Sequence, residues 1–164
     1  MAALVSEGSL VDLQVCDVLA KRPGKESGFF NVKQRVRRDL CVLSCACALR
    51  RRCHMVGLPF KALDAFASSG IQGLRLASEC PALVRGAISR EESVPSLEVV
   101  LCDMDAKASA LCMANADEKC SRDGCSISVA RRNAAALLHE QPFDVSLLDP
   151  FGSVVPCESS TFAP

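Results

Sequence analysis

The stretch Lys61–Arg75, K-A-L-D-A-F-A-S-S-G-I-Q-G-L-R, restricts the fold more than any other part of the chain. Lys61–Phe66 is a short apolar run, sized for a buried strand rather than a helix. Ala67, Ser68, Ser69 and Gly70 make a small-residue turn, and Ile71, Leu74, Ala77 and Ser78 then fall on one face of a helix. Strand, tight turn and helix form the opening unit of a doubly wound α/β domain, where a ligand sits at the carboxyl ends of the strands. Asp64 lies at the strand tip, and Gly70, lacking a Cβ, lets the backbone turn sharply or approach a ligand closely. Both are candidate ligand residues. The same pattern also serves an ordinary strand–helix turn with no ligand.

On either side of this unit the chain alternates in the same way. Val11, Leu13 and Val15 alternate with Asp12 and Gln14, the period of a half-buried strand. Lys21–Gly28 is loop by composition. From Lys33 to about Arg52, Val36, Leu40, Leu43 and Cys47 recur at spacings of four, three and four, which predicts an amphipathic helix buried through that stripe with arginines on its other faces. After the helix that begins near Ile71, Pro81–Ser96 reads as a long connector. Leu97–Cys102 is a second strand ending at Asp103, and Ala106–Lys119 is a helix with Asp105 as a plausible N-cap. Ser126–Ala130 is a third strand, followed by a helical turn around Asn133–His139. Phe143–Leu148 is a fourth strand, running into D-P-F-G at 149–152. Four strands alternating with helices argue a parallel sheet with right-handed crossovers.

The length of 164 residues suits one core, and with no Trp, no Tyr and 7 Phe that core is built from Val, Leu, Ala and Cys. The 11 Cys are scattered, with no C-x-x-C pair, and the start M-A-A-L-V-S-E-G is a poor secretory or transit peptide. Buried reduced thiols in an intracellular protein follow as the expectation, in nucleus or cytoplasm, with a mitochondrial pool left open. The group Cys41, Cys45, Cys47, Cys53 and His54 fits no familiar zinc spacing, so no metal is expected. No apolar run reaches transmembrane length, so no membrane partner is expected, and nothing points to an obligate protein partner. The formal charge is zero but polarised: 11 Lys and Arg face 5 Asp and Glu over residues 1–61, and 8 face 14 over residues 62–164. The basic clusters Lys33–Arg38 and Arg50–Arg52 suit a polyanion, or simply a solvated helix surface.

Asp64, Asp103 and Asp149 sit at successive strand ends, along the one edge where such sheets bind ligands. An acid closing the second strand can accept both hydroxyls of a ribose. Ser68-Ser69 stand where a dinucleotide fingerprint has glycine, which disfavours pyrophosphate and argues for S-adenosylmethionine over a nicotinamide dinucleotide. In D-P-F-G, the Asp149 carboxylate and the Pro150 carbonyl can accept hydrogen bonds from an exocyclic amine, and Phe151 can stack on an unstacked base. A plain strand-terminating turn is the alternative.

Four spaced motifs together resemble the tRNA (guanine-26, N2)-dimethyltransferases: F-F-N-V-K-Q-R-V-R-R-D-L at 29–40, D-A-F-A-S-S-G-I-Q-G-L-R at 64–75, the L-C-D of the second strand and L-L-D-P-F-G-S at 147–153. The resemblance runs from about residue 5 to 156. It implies a Rossmann-like class I methyltransferase fold, S-adenosyl-L-methionine as cofactor and tRNA as partner. It also implies cofactor contacts from Arg38, Arg75, Asp103, Asn133 and Ala134, and a target-amine site of Asp149, Pro150 and Phe151. Val32, Arg37 and Asn133 depart from the family's usual Pro, Asn and Asp. The family continues beyond Gly152 with further strands and an RNA-binding domain, so the chain reads as the front part of such an enzyme. The expected division is an N-terminal extension with a basic helix over 1–56, an incomplete methyltransferase domain over 57–156 and a tail over 157–164. A non-catalytic RNA-binding relative and a dinucleotide-dependent oxidoreductase are the rival readings.

Overall fold

The computed structural model describes residues 3–16, 28–55, 57–117 and 124–149. The expected loop over residues 21–27, the helix end at Glu118 and Lys119, Pro150, Phe151, Gly152 and the tail over 157–164 lie outside the described residues. Four strands, β3 (Phe60–Asp64), β4 (Leu97–Cys102), β5 (Cys125–Ala130) and β6 (Val145–Leu147), form a parallel sheet in the order β5-β4-β3-β6. These are the four strands expected, with β3 and β6 shorter than their apolar runs. Ahead of them β1 (Ala3–Glu7) and β2 (Leu10–Val15) make an antiparallel hairpin. Its first strand was not anticipated, because A-L-V-S-E is too short for its period to stand out.

The topology places the helices. Helix α2 (Ile71–Arg85) links β3 to β4 and α3 (Ala106–Asp117) links β4 to β5, two crossovers moving the same way along the sheet. The chain then reverses past β3 to β6 through α4 (Ala134–Glu140), so a right-handed crossover puts α4 on the opposite face. The two cores follow this division. Ala62, Leu97, Val99 and Leu101 pack with α1 (Arg35–Arg51), α2 and the hairpin, while Leu63 and Cys102 pack with Ala134, Leu137 and Leu138 of α4. Asp105 caps α3 as expected, accepting from the backbone N–H groups of Lys107 and Ala108 at 2.7 and 2.9 Å.

Two expectations require correction. Pro81 does not open a connector: α2 continues through it to Arg85, anchored by Val84, which is 1% exposed. Helix α1 forms where expected, but its Val36, Leu40, Leu43 and Cys47 stripe faces outward, with the first three 69%, 59% and 52% exposed. Val42, Cys45, Ala46 and Leu49 are buried instead, together with Arg38. Both faces of α1 are apolar, so periodicity could not choose between them. Small Cys45 and Ala46 let α1 close on α2, where Cys80 Sγ reaches the Val42 carbonyl at 3.4 Å.

The α2–sheet contact is closest at Gly73. A Cβ there would lie 2.2 Å from Leu101 Cδ2 and 3.2 Å from Asp64 Cβ, and Leu101 is fully buried. Overpacking of this kind costs about 1–3 kcal/mol, more than the ~1 kcal/mol that alanine gains over glycine in a helix. Gly73→Ala is therefore expected to lower the urea midpoint without changing the slope of the transition. A midpoint at or above wild type would contradict the packing.

Candidate functional site

Strand order sets up the site. The strand order reverses about β3, with β4 and β5 on one side of it and β6 on the other, and the gap between the carboxyl ends of β3 and β6 is the topological switch point. A cavity of about 420 Å³ opens there, a size typical of small-molecule sites. Its walls come from Phe29–Asn31 and Gln34 before α1, from Arg37, Arg38 and Cys41 on α1, and from Asp64, Phe66–Ser69, Ile71 and Gln72 around the turn after β3. Ser146–Asp149 of β6 complete it.

The turn after β3 is held from several sides. Ser68 adopts φ +52°, its N–H donates to Asp103 Oδ2 at 2.9 Å, and its hydroxyl donates to the Phe29 carbonyl at 3.0 Å. Gly70 takes φ +79° at the start of α2, the left-handed conformation for which its lack of a Cβ suits it. Asp64 is buried, and its Oδ2 accepts the Gly73 N–H at 2.9 Å. Burial pushes the Asp64 pKa up to about 7 against the pull of that N–H, and the nearby Asp149 and Asp103 charges add to the rise.

The expected site residues form a row in sheet order. Asp149 lies beyond β6, ion-paired with Arg37, and Asp64 ends β3. Asp103 follows β4, its Oδ1 also accepting from the Asp105 N–H at 2.9 Å. Asn133 follows β5 and caps α4 by accepting from the Ala136 N–H at 3.1 Å, with Ala134 buried behind it. Arg38 lines the cavity. Gly70, Arg75, Asp103, Asn133 and Ala134, expected beside them, are not among the cavity's lining residues; Asp103 reaches the cavity wall through the Ser68 N–H, and Glu7, Asp39 and Glu79 engage the Arg75 guanidinium.

Other residues of the site were not anticipated. Ser69 and Gln72 line the cavity at 1% and 8% exposure, and Ser69 Oγ and both polar atoms of the Gln72 amide have no partner among the described residues. Buried polar groups in native proteins are almost always paired, so unpaired groups on two residues that line a cavity point to a ligand. A glutamine in the otherwise apolar first turn I-Q-G-L was the available signal. Met104 is 66% exposed beside Asn133, whose Nδ2 lies 3.8 Å from its sulfur.

The native Asp64 carboxyl keeps its proton to about pH 7, whereas the unfolded one loses it near 3.8. The resulting stabilisation is complete below about pH 4 and is lost as pH rises through 7. Asp64→Asn should therefore gain stability relative to wild type between pH 4 and 8, by at most about 1.4 kcal/mol per pH unit. Chemical denaturation across that range checks this, and a difference that stays flat would show an ordinary carboxylate.

Comparison with known proteins agrees with the geometry. The family model described as N2,N2-dimethylguanosine tRNA methyltransferase matches residues 11–162. A tRNA (guanine(26)-N(2))-dimethyltransferase of Haloarcula marismortui is 36% identical over 78% of this chain, and a tRNA (guanine(27)-N(2))-dimethyltransferase of Rattus norvegicus is 31% identical over 85% of it. The chain spans 28% and 19% of those proteins. The structure of Trm1 from Pyrococcus horikoshii with S-adenosyl-L-methionine superposes with a TM-score of 0.62 at 22% identity, covering 95% of this chain and 37% of that one, which supports the Rossmann-like fold. The matched span includes the four strands of the parallel sheet, the turn after β3 and the row of strand-end residues, and on that evidence the chain belongs to the N2,N2-dimethylguanosine tRNA methyltransferase family.

Proposed function

We propose that this chain is the cofactor-binding part of a tRNA methyltransferase that uses S-adenosyl-L-methionine to methylate the exocyclic N2 of a guanine, position 26 being the expected target. The observation that carries the reading is the cavity at the switch point, lined by Asp149, Asp64 and the buried Ser69 and Gln72 with their unpartnered groups, and with Asp103 bonded to the Ser68 N–H of the same turn. The family relationship supports the reaction class, and relatives named for guanine 26 and guanine 27 both match.

Each residue has a task in this reading. Asp103 accepts the ribose hydroxyls, while Asn133, Ala134 and Met104 border the adenine. Ser69, Gln72 and Arg38 hold the amino-acid end, with Asp64 and Gly70 shaping the floor. The cofactor supplies an electrophilic methyl group on a sulfonium. A guanine exocyclic amine is a poor nucleophile because its lone pair is delocalised into the ring. The Asp149 carboxylate and the Pro150 carbonyl accept its N–H groups and turn the lone pair toward the methyl, and Phe151 stacks on the base. Arg50 and Arg51, both exposed at the end of α1, extend the basic surface toward tRNA, whereas Arg52 is tied to Asp144 at 2.6 Å. No described helix is long and apolar enough to cross a membrane, and nucleus or cytoplasm is the proposed location.

One observation favours a second reading, a non-catalytic relative. Arg37 pairs with Asp149 and so occupies the acceptor proposed for the amine.

Two experiments test the proposal. Calorimetry with S-adenosylhomocysteine should show Asp103→Ala binding at least about tenfold more weakly than wild type, as expected when two ribose hydroxyls lose a charged acceptor. Equal affinities would remove Asp103 from the site. For catalysis, the chain can be grafted in place of the matching segment of the Haloarcula marismortui relative and assayed on unmodified tRNA. Asp149→Asn in that graft should lower kcat by about a hundredfold while leaving cofactor affinity unchanged, because the charge matters most in the transition state. A graft that binds cofactor and tRNA without methylating favours the non-catalytic reading.

A further inference from the structure

The hairpin ahead of the sheet sends one charged group into the interior. Glu7, at the end of β1, has a side chain 3% exposed and meets two buried arginines. Arg38 Nε and Nη2 donate to its two oxygens at 2.7 and 2.5 Å, a bidentate pair, and Arg75 Nη1 donates to Oε1 at 2.9 Å. Arg38 Nη1 donates to the Asn31 carbonyl at 3.1 Å, and its guanidinium lies 4.9 Å from the centre of the Phe30 ring. These bonds use three of its five hydrogens and leave two among the described residues, on a side chain that lines the cavity.

A bidentate carboxylate fixes the plane of a guanidinium as well as its position. Rotation of Arg38 would break the bond to Asn31 and the stacking on Phe30, both part of the cavity wall. Arg75 keeps Glu7 from following Arg38, because Glu79, four residues on along α2, holds it at 2.8 Å; Asp39 of α1 bonds its other end at 2.7 Å. The turn of the hairpin is seated on the same helix: Ser9 N–H donates to Glu79 at 3.2 Å, and a Cβ on Gly8 would lie 2.0 Å from that carboxylate.

We infer that Glu7 is a positioning residue for the cofactor site: it orients Arg38 toward the amino-acid end of the bound nucleoside and closes the Phe30–Asn31 wall, with Arg75 anchoring it. This rests on the cofactor reading above and assigns the N-terminal hairpin a part in it.

The test uses two nucleosides with the full chain: S-adenosylhomocysteine, and 5′-methylthioadenosine, which keeps the adenosine and lacks the amino-acid end. Glu7→Gln keeps the shape but turns an N–H donor toward the arginines. It should weaken S-adenosylhomocysteine about tenfold or more and change methylthioadenosine less than about twofold. Glu7→Gln combined with Arg38→Gln should bind S-adenosylhomocysteine no more weakly than Arg38→Gln alone, because Glu7 acts through Arg38. If Glu7→Gln does not give a cooperative melt, Glu7→Asp, which keeps the charge and withdraws it by one methylene, should show a smaller loss with the same selectivity. Equal weakening of both nucleosides, or additive losses in the double variant, would reduce Glu7 to a structural role and overturn the inference. Wild type that binds both nucleosides with Glu7→Gln unchanged overturns this inference alone. Wild type that binds neither overturns the cofactor reading and this inference with it.

Discussion

The Glu7 carboxylate holds together parts of the chain that share no sheet. Through Arg38 and Arg75 it joins the β1–β2 hairpin to α1 and α2, and Asp39 and Glu79 extend the pairing at the margin. Burial works to raise the Glu7 pKa, and the hydrogen bonds and charges of Arg38 and Arg75 hold it below the ordinary carboxylate value. A buried ion cluster of this kind adds less to net stability than its short distances suggest, because each ion gives up its hydration. Its effect is on geometry: side chains from three elements can satisfy one another in only one relative placement. The apolar contacts of Val42, Leu49 and Leu13 fill the space that this placement leaves.

From that placement the site follows. Helix α1 is brought over the carboxyl end of β3, where it forms one wall of a cavity that the sheet alone would leave open. The sheet contributes Asp64, Asp149 and Phe66–Ser69 of the turn after β3, and α2 contributes Ile71 and Gln72 in its first turn. Asp64 and Asp149 lie within electrostatic reach of one another, and Arg37 offsets part of their repulsion. A small, partly neutralised set of carboxylates beside an open cavity suits a cationic ligand with a hydroxylated sugar better than a polyphosphate, whose charge those carboxylates would repel.

Much of this arrangement was legible in the residues. Leu97–Cys102 is the second strand residue for residue, and Asp64, Asp103 and Asp149 close their strands as their positions after apolar runs suggest. Those features depend on local pattern and on the near-invariant handedness of crossovers. What local pattern could not give were choices between equivalent faces and pairings distant in sequence. Helix α1 carries two apolar stripes, and the buried one is selected by tertiary partners, Glu7 at 31 residues' separation among them. Arg75 stands in a motif beside the cavity, yet its direction is set by Glu7, 68 residues earlier. Gln72 is the converse: a polar residue in an apolar turn whose meaning emerges only once its amide is found buried and unpartnered.

A crystal structure of the chain with S-adenosylhomocysteine should place the nucleoside along the carboxyl edge, with its ribose hydroxyls on Asp103, its adenine between Met104 and Asn133, and its amino-acid end against Ser69, Gln72 and Arg38. A nucleoside bound away from the β3–β6 switch point, or one reversed so that its amino-acid end meets Asn133, would contradict the proposed site.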